Sequence, residues 1–206
     1  MSSAPQLRRA DRSMSADQAR EVLRQGFCGR LATVSEDGSP YCVPLLYVLM
    51  DRRLFVHNTA DRGHLRANIE HEARCCFEVD EPGQVFNYGR FECDSAIAYR
   101  SVIAFGTIRI VADLTVAQRF FEALMEKYGT PDRDRPKGFF PRIGQVTVYE
   151  VTIERMTGKE QAFPEVSRQW PALDRTASPD AQPPSGAKSA SLRKTDGLTL
   201  TPVSRD

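Results

Sequence analysis

The chain has 206 residues, and its 28 Lys+Arg against 27 Asp+Glu leave a net charge of +1. That balance lacks the basic field that nucleic-acid or membrane-surface binding would use, and no apolar stretch approaches the ~20 residues of a transmembrane helix. With 41% hydrophobic and 27% charged residues, the composition is globular, and the length suits one domain with a tail.

The five cysteines, Cys28, Cys42, Cys75, Cys76 and Cys93, are odd in number and contain no C-x-x-C pair. They argue against a disulfide framework or a zinc knuckle and fit a reducing compartment. The N-terminal MSSAPQLRRADRS has no apolar run of the secretory type. The cytoplasm is the expected location.

Residues 1–13 are polar and predicted to be flexible. Ser15 with Gln18 three residues on is a capping box. Ala16, Ala19, Val22 and Leu23 then recur at helical spacing, and Gly26 stops the helix. Phe27 to Val34 reads as a strand, Ser35-Glu36-Asp37-Gly38 as a hairpin turn, and Tyr41 to Met50 as a second strand. That second strand is apolar almost throughout, so both faces should be covered. Pro44 within it lacks an N–H and belongs at an edge or a bulge. Arg53 to Val56 returns as a third strand, completing a three-stranded meander, and the chain turns through His57, Asn58, Thr59 and Ala60.

A helix follows at about 61–69, then a strand from Arg74 to Val79 and a loop from Asp80 to Tyr88 around Pro82-Gly83. Ile97 to Val111 is a long β-rich run with a bulge expected at Gly106. Thr115 to Tyr128 is a helix with Val116, Phe120, Leu124 and Tyr128 on one face, and Gly129 ends it. Thr130 to Gly144 is an irregular connection. Gln145 to Met156 alternates with period two, as a final strand does. Six or so strands, few helices and no βαβ alternation predict a mainly β protein, a small antiparallel barrel with peripheral helices. From Pro171 onward no aromatic residue occurs, and Ala, Ser, Pro, Thr and Asp dominate. Such a segment cannot bury enough apolar surface to offset its ordering entropy. The predicted organisation is a flexible 1–13, a folded domain at 14–170 and a disordered tail at 171–206.

Several chemistries lack their residues. His57, His64 and His71 do not have the spacing of a zinc signature, so no metal site is expected. There is no G-x-S-x-G, and Cys42 and Cys93 read as small apolar residues in or beside strands rather than nucleophiles. Neither G-x-G-x-x-G nor a P-loop occurs, and the βαβ frame they need is missing. What stands out is LFVHNTADRGHLRANIE, from Leu54 to Glu70. It is a strand that hands over to a helix carrying Arg62, His64 and Arg66 near its start. Free N–H groups and cations at a helix start suit an anion. The apolar strand CVPLLYV beside it suits a flat aromatic body joined to a phosphate.

The blocks GRLATVSEDGSPYCVPLLYV, LFVHN and ADRGHLRANIEHEARCCFEV resemble the flavin-binding split barrels of the pyridoxamine 5′-phosphate oxidase-like superfamily. The later blocks YRSVIAFGTIRIV, EKYG and VTVYEVTIERMTGK are similar to its nitroimidazole-resistance (Nim-like) branch. The resemblance covers about residues 15–160. It implies a six-stranded antiparallel split β-barrel that dimerises, with FMN in clefts at the subunit interface. By matching position it places Val43, Pro44, Leu45 and Leu46 along the isoalloxazine ring, with Pro44 on a bulged strand. His57 would stand beside the flavin as a proton donor or hydrogen-bond partner, and Thr59, Arg62 and His64 would hold the phosphate. Tyr99, Ser101 and Val102 would complete the cleft.

Many relatives carry a lysine where His64 stands. Histidine is a weaker, pH-dependent anion ligand, which shifts the charge onto Arg62 or Arg66. The Arg-x-His with which true pyridoxamine phosphate oxidases hold substrate is absent. Here the chain reads Ser167-Arg168-Gln169-Trp170, with Trp170 taken as pinning the tail. What the resemblance implies is a homodimeric FMN-dependent oxidoreductase, taking electrons from NAD(P)H for a small-molecule substrate. The alternatives are a split barrel holding deazaflavin F420 or haem, and a flavin-binding module without turnover.

Overall fold

The computed structural model describes residues 7–129 and 136–177. Contacts divide the chain into two units, Met1–Phe86 with Ala96–Pro164, and Asn87–Ser95 with Glu165–Asp206. The strands are β1 (Gly29–Val34), β2 (Pro40–Leu45), β3 (Tyr47–Met50), β4 (Arg53–Thr59), β5 (Arg74–Asn87), β6 (Ser95–Ile110) and β7 (Val146–Gln161). The helices are α1 (Ala16–Gln25), α2 (His64–His71) and α3 (Leu114–Tyr128). No helix among the described residues is long and apolar enough to cross a membrane.

The fold is mainly β, as predicted, with seven strands rather than six. The extra strand arises because Tyr41–Met50 is two strands, not one. β2 pairs with β1, whereas β3 pairs with β4. The sheet order is β2-β1-β5-β6-β7-β4-β3. β2 and β3 are therefore at opposite edges, and the predicted meander of three paired neighbours is not formed. Laid flat, those edges would be ~29 Å apart, from six inter-strand steps of ~4.8 Å. Only Leu46 separates Leu45 from Tyr47, and two residues reach at most ~7 Å. The sheet must therefore curl until its edges meet, which is a barrel split at Leu46.

The far edge is capped at the split by the last turn of α3. Tyr128 donates its hydroxyl to the Tyr47 carbonyl at 2.8 Å, and Lys127 Nζ lies 3.2 Å from the same oxygen. Pro44 sits in edge strand β2, where its missing N–H removes no ladder bond on the open side. The register of β2 against β1 is unbroken from Pro40 to Leu45. Pro44 thus takes the edge position expected of it, and the bulge that the resemblance implies is not formed, the strand ending instead at Leu45.

Inside the curl, Leu31, Leu54, Val56, Phe77, Val102, Tyr149 and Val151 form one core with Val22 and Leu23 of α1 and Leu65 and Ile69 of α2. α1 keeps the predicted capping box, with Ser15 and Gln18 bonded reciprocally at 2.8 and 3.2 Å. A second cluster forms on the outer face, where Phe120 and Leu124 of α3 cover Val48, Phe55 and Val148. β4 continues through His57, Asn58 and Thr59, which pair with Val148, Thr147 and Val146, so the turn predicted there is strand. β5 likewise runs through the predicted Pro82-Gly83 loop. A Cβ on Gly83 would lie 2.9 Å from the Ala98 carbonyl, so the two backbones are too close for a turn to intervene. β2 is not covered on both faces as predicted. Its residues alternate between half-buried and exposed.

Residues 7–13 contain a 3-10 turn at Ala10–Arg12, and Ser13 bridges to Lys159. In the second unit the Trp170 N–H donates to the Asn87 carbonyl at 3.1 Å, and the Arg175 N–H to Tyr88 at 2.9 Å. Asp94, only 4% exposed, accepts from the Phe91 N–H and the Thr176 hydroxyl. The predicted tail thus begins among residues with defined partners. Its stretch 178–206 lies outside the described residues, as do 1–6 of the predicted flexible N-terminus and 130–135 of the predicted connection.

Candidate functional site

α2 starts at His64 with Gly63 as its N-cap, and no side chain caps it. A Cβ built on Gly63 would meet nothing within 4 Å. Among the described residues no loop carbonyl or side chain accepts from the N–H groups of His64, Leu65 and Arg66, and such orphan donors together with the helix dipole attract an anion. Arg62 Nε donates to Glu70 Oε2 at 2.9 Å, and Arg66 Nε to Glu70 Oε1 at 2.9 Å. Arg66 also reaches the Ala60 carbonyl at 3.2 Å. Hydrogen bonds from Arg66 and then Arg62 hold the Glu70 carboxyl below the usual carboxylate range. His64 Nε2 lies 3.0 Å from Ser35 Oγ, and its ring stacks on Tyr41 with centroids 4.3 Å apart. Asn68 ties the same helix to Thr33 at 3.1 Å.

His64 is therefore brought against the β1–β2 hairpin, while Arg62 and Arg66 meet on Glu70; two residues apart on α2, His64 and Arg66 project about 160° from each other. Ser35, Tyr41 and Glu70 join them and were not singled out from the sequence. Glu70 had a signal, being four residues beyond Arg66 on the same helix face. Ser35 and Tyr41 had none, because only folding brings the hairpin to α2.

His57 faces elsewhere. Along β4, Leu54 and Val56 point into the core while Phe55 joins the cluster under α3. By strand alternation His57 shares the face of Phe55. Its ring lies 5.4 Å from Phe120 and 5.5 Å from Phe121. Its Nδ1 is buried without a hydrogen-bond partner. Burial lowers its pKa below the usual 6.5, because the low-dielectric surroundings disfavour the cation. Among the described residues no hydrogen bond or ring contact links His57 to Arg62, His64 or Arg66.

The lowered pKa has a stability consequence. Below about pH 6.5 the unfolded chain takes up a proton at this position before the folded chain does, so stability falls as pH drops through that window. A His57→Gln variant is expected to lose less stability than the wild type between pH 6.5 and 5. Urea midpoints at both pH values check this, and parallel pH profiles would contradict it.

Val43 and Leu45 are half-buried and packed against the core. Pro44 and Leu46 are exposed on the outer face, Leu46 by 38%. Thr59 is exposed at the end of β4. Tyr99 and Ser101 are half-buried on the outward face of β6, which they share with Ile103. Val102 is fully buried in the core, so its side chain has no surface to offer a cleft. On the outer face Ala32 pairs with Cys42 on one side and Cys76 on the other. Val34 and Ile103 leave 42% and 37% of their surface open there. All five cysteines are free thiols. Among the described residues no three His, Cys, Asp or Glu side chains are grouped to hold a metal ion.

A family model described as pyridoxamine 5′-phosphate oxidase matches residues 15–160. No curated protein matches the chain. Among solved structures, the flavocytochrome Anf3 from Azotobacter vinelandii superposes with a TM-score of 0.65 at 19% identity, over 77% of this chain and 73% of that one. An FAD and heme binding protein from Mycobacterium smegmatis gives 0.62 at 20% identity, over 75% of each chain. A proposed 5-nitroimidazole antibiotic resistance protein from Bacteroides thetaiotaomicron VPI-5482 gives 0.60 at 18% identity, over 71% and 85%. At these identities the likeness is one of fold.

Proposed function

The chain belongs to the pyridoxamine 5′-phosphate oxidase family, and from that premise we propose that it binds FMN and works as a flavin-dependent oxidoreductase of the Nim-like reductase kind. One observation carries the proposal: the uncapped N-terminus of α2 is flanked by Arg62 and Arg66, which meet on Glu70, and by His64, which docks on the hairpin of edge strand β2. The donor set fits a phosphate monoester, since two guanidinium groups and open backbone N–H groups match its oxygens. Pro44 and Leu46 offer an apolar surface suited to a flat ring. The flavocytochrome and the FAD and heme binding protein support a flavin among relatives of this fold.

A bound flavin would supply the electron transfer, leaving the protein to bind, orient and manage protons. Arg62, Arg66 and the α2 N–H groups would bind the phosphate. His64, stacked on Tyr41 and bonded to Ser35, would fix the hairpin against that phosphate. His57 would hold or release a proton at Nδ1, the buried ring atom with no partner. Two copies meeting through the outer face of β2, β1, β5 and β6 would cover Val34, Leu46 and Ile103, which supports a homodimer. NAD(P)H as donor, a small organic acceptor and a cytoplasmic setting complete the proposal.

The test is an absorption spectrum of the purified protein before and after reconstitution with FMN. Flavin bands that co-elute with the protein are expected, and a protein that stays colourless with FMN overturns the proposal. A Soret band would instead select haem. Anaerobic NADH or NADPH is expected to bleach the bound flavin, and no bleaching with either would reduce the protein to a binding module.

A further inference from the structure

We infer that the recess between α3 and residues 139–146 binds a small planar aromatic anion, seated beside Phe121, a ring neighbour of His57. The inference does not rest on the oxidoreductase reading. The recess has a volume of about 260 Å³ and is lined by Phe121, Phe139, Phe140, Ile143 and Val146, with Arg142 the charged residue on its wall. That volume lies below the ~300–1,000 Å³ usual for drug-sized ligands. It suits roughly one or two fused rings, not a nucleotide cofactor, which separates it from the corner at α2.

Its walls select for a flat ring. Phe121 and Phe140 are 5.5 Å apart and tilted by 39°. Phe139 leaves 66% of its surface in solvent, an exposure that a bound ring would relieve. Aromatic faces and edges favour another aromatic group over an aliphatic one of equal area. Arg142 selects for charge. Among the described residues its guanidinium has no ion-pair or hydrogen-bond partner, and a guanidinium fork matches a carboxylate in bidentate fashion.

One wall of the recess backs onto His57, which does not itself line it. Phe121 is both a wall of the recess and a ring neighbour of His57 at 5.5 Å. Val146 pairs with Thr59 and Val148 with His57. Val146 and His57 are therefore diagonal neighbours on one face of the sheet, within reach of long or aromatic side chains. A ring seated on Phe121 and Val146, with its anion on Arg142, is separated from His57 by the Phe121 ring alone, close enough to alter the field at the imidazole.

Benzoate is the probe, titrated calorimetrically into the full chain with and without FMN. Saturable one-to-one binding is expected, and Arg142→Gln should weaken it about tenfold or more. Benzyl alcohol, which keeps the ring and drops the charge, should bind Arg142→Gln and wild type alike. Phe139→Ser, a change at an exposed position, should weaken both ligands. The His57 imidazole NMR signals, identified by their loss in His57→Gln, should shift on benzoate addition. No saturable benzoate binding, equal affinity in Arg142→Gln, or unmoved His57 signals would each overturn the inference. FMN binding without benzoate binding would sink the recess alone. Benzoate binding without FMN binding would sink the flavin reading and leave the recess standing.

Discussion

Replacing Arg62 and Arg66 together by Gln is expected to weaken FMN binding by roughly a hundredfold, while Glu70→Gln is expected to tighten it several-fold. The opposite signs follow from one hydrogen-bonded triad. Glu70 accepts from Arg62 at 2.9 Å and from Arg66 at 2.9 Å, one carboxylate oxygen each. An incoming phosphate competes with Glu70 for the two Nε–H donors, while the remaining N–H groups of each guanidinium stay open to it. The carboxylate also repels the phosphate across the same corner. Removing its charge while keeping its shape frees both arginines and removes the repulsion. Removing the arginines leaves an anion facing an acid, with only backbone N–H groups and His64 in support.

Fluorescence quenching titrations measure this directly. Riboflavin serves as the control, since it carries the ring without the phosphate. The arginine changes should leave riboflavin affinity within about twofold, and the Glu70 effect should shrink at high salt, as exposed charges do. Equal losses for FMN and riboflavin would mean that the arginines act through folding. An unchanged FMN affinity would remove the phosphate from this corner altogether.

The residues around that triad show which parts of a site a sequence exposes. Arg62, His64 and Arg66 lie close together in sequence at the start of α2, so a local pattern suffices to find them. Ser35 and Tyr41, the partners of His64, come from a hairpin distant in sequence and had no local mark. The same division runs through the fold. Ser15 with Gln18 at the start of α1, and Gly129 at the end of α3, act on their own neighbours, and both helices form where predicted. The break at Leu46 was hidden, because an apolar run looks the same whether its strand keeps one partner or exchanges it for another. Pro82-Gly83 carries a strong turn signal that close pairing of β5 with β6 overrides.

His57 is the instructive middle case. The sequence put it in a turn, and only the continuation of β4 through it lets alternation with Leu54 and Val56 set it on the outer face. That the outer face is roofed by Phe120 and Phe121 depends on the docking of α3. The recess beside it is built by residues 139–146, whose Pro and Gly content leaves no periodicity to read.

Gly106→Ala is expected to destabilise the protein by roughly 3–5 kcal/mol, the range of the severest single substitutions. The bulge predicted here exists, but the extra residue is on the other strand. Phe105 pairs with Arg155 and Gly106 with Ile153, so Glu154 of β7 has no counterpart in β6. The inserted residue pushes β7 toward β6 at this point. A Cβ on Gly106 would lie 1.9 Å from the Thr152 carbonyl oxygen, 3.0 Å from its carbon and 3.3 Å from the Glu154 nitrogen. All three are backbone atoms, so no rotamer change can make room. β7 must move away, and the pairs on either side move with it. One of these is Arg109 with Glu150. Glu150 is 3% exposed and holds both Arg109, at 2.8 Å, and Arg53, at 3.0 Å. Shifting β7 disturbs a buried carboxylate that depends on both partners. Gly144→Ala provides the contrast, since a Cβ there meets nothing within 4 Å, and its effect should stay within ~0.5 kcal/mol. Urea unfolding of both variants checks the pair, with an unchanged slope and a large drop in midpoint expected for Gly106→Ala alone. Typical domains have only about 5–15 kcal/mol to lose, so this single methyl group should bring the barrel close to its limit. Equal midpoints for the two variants would mean that β6 and β7 do not approach this closely at the bulge.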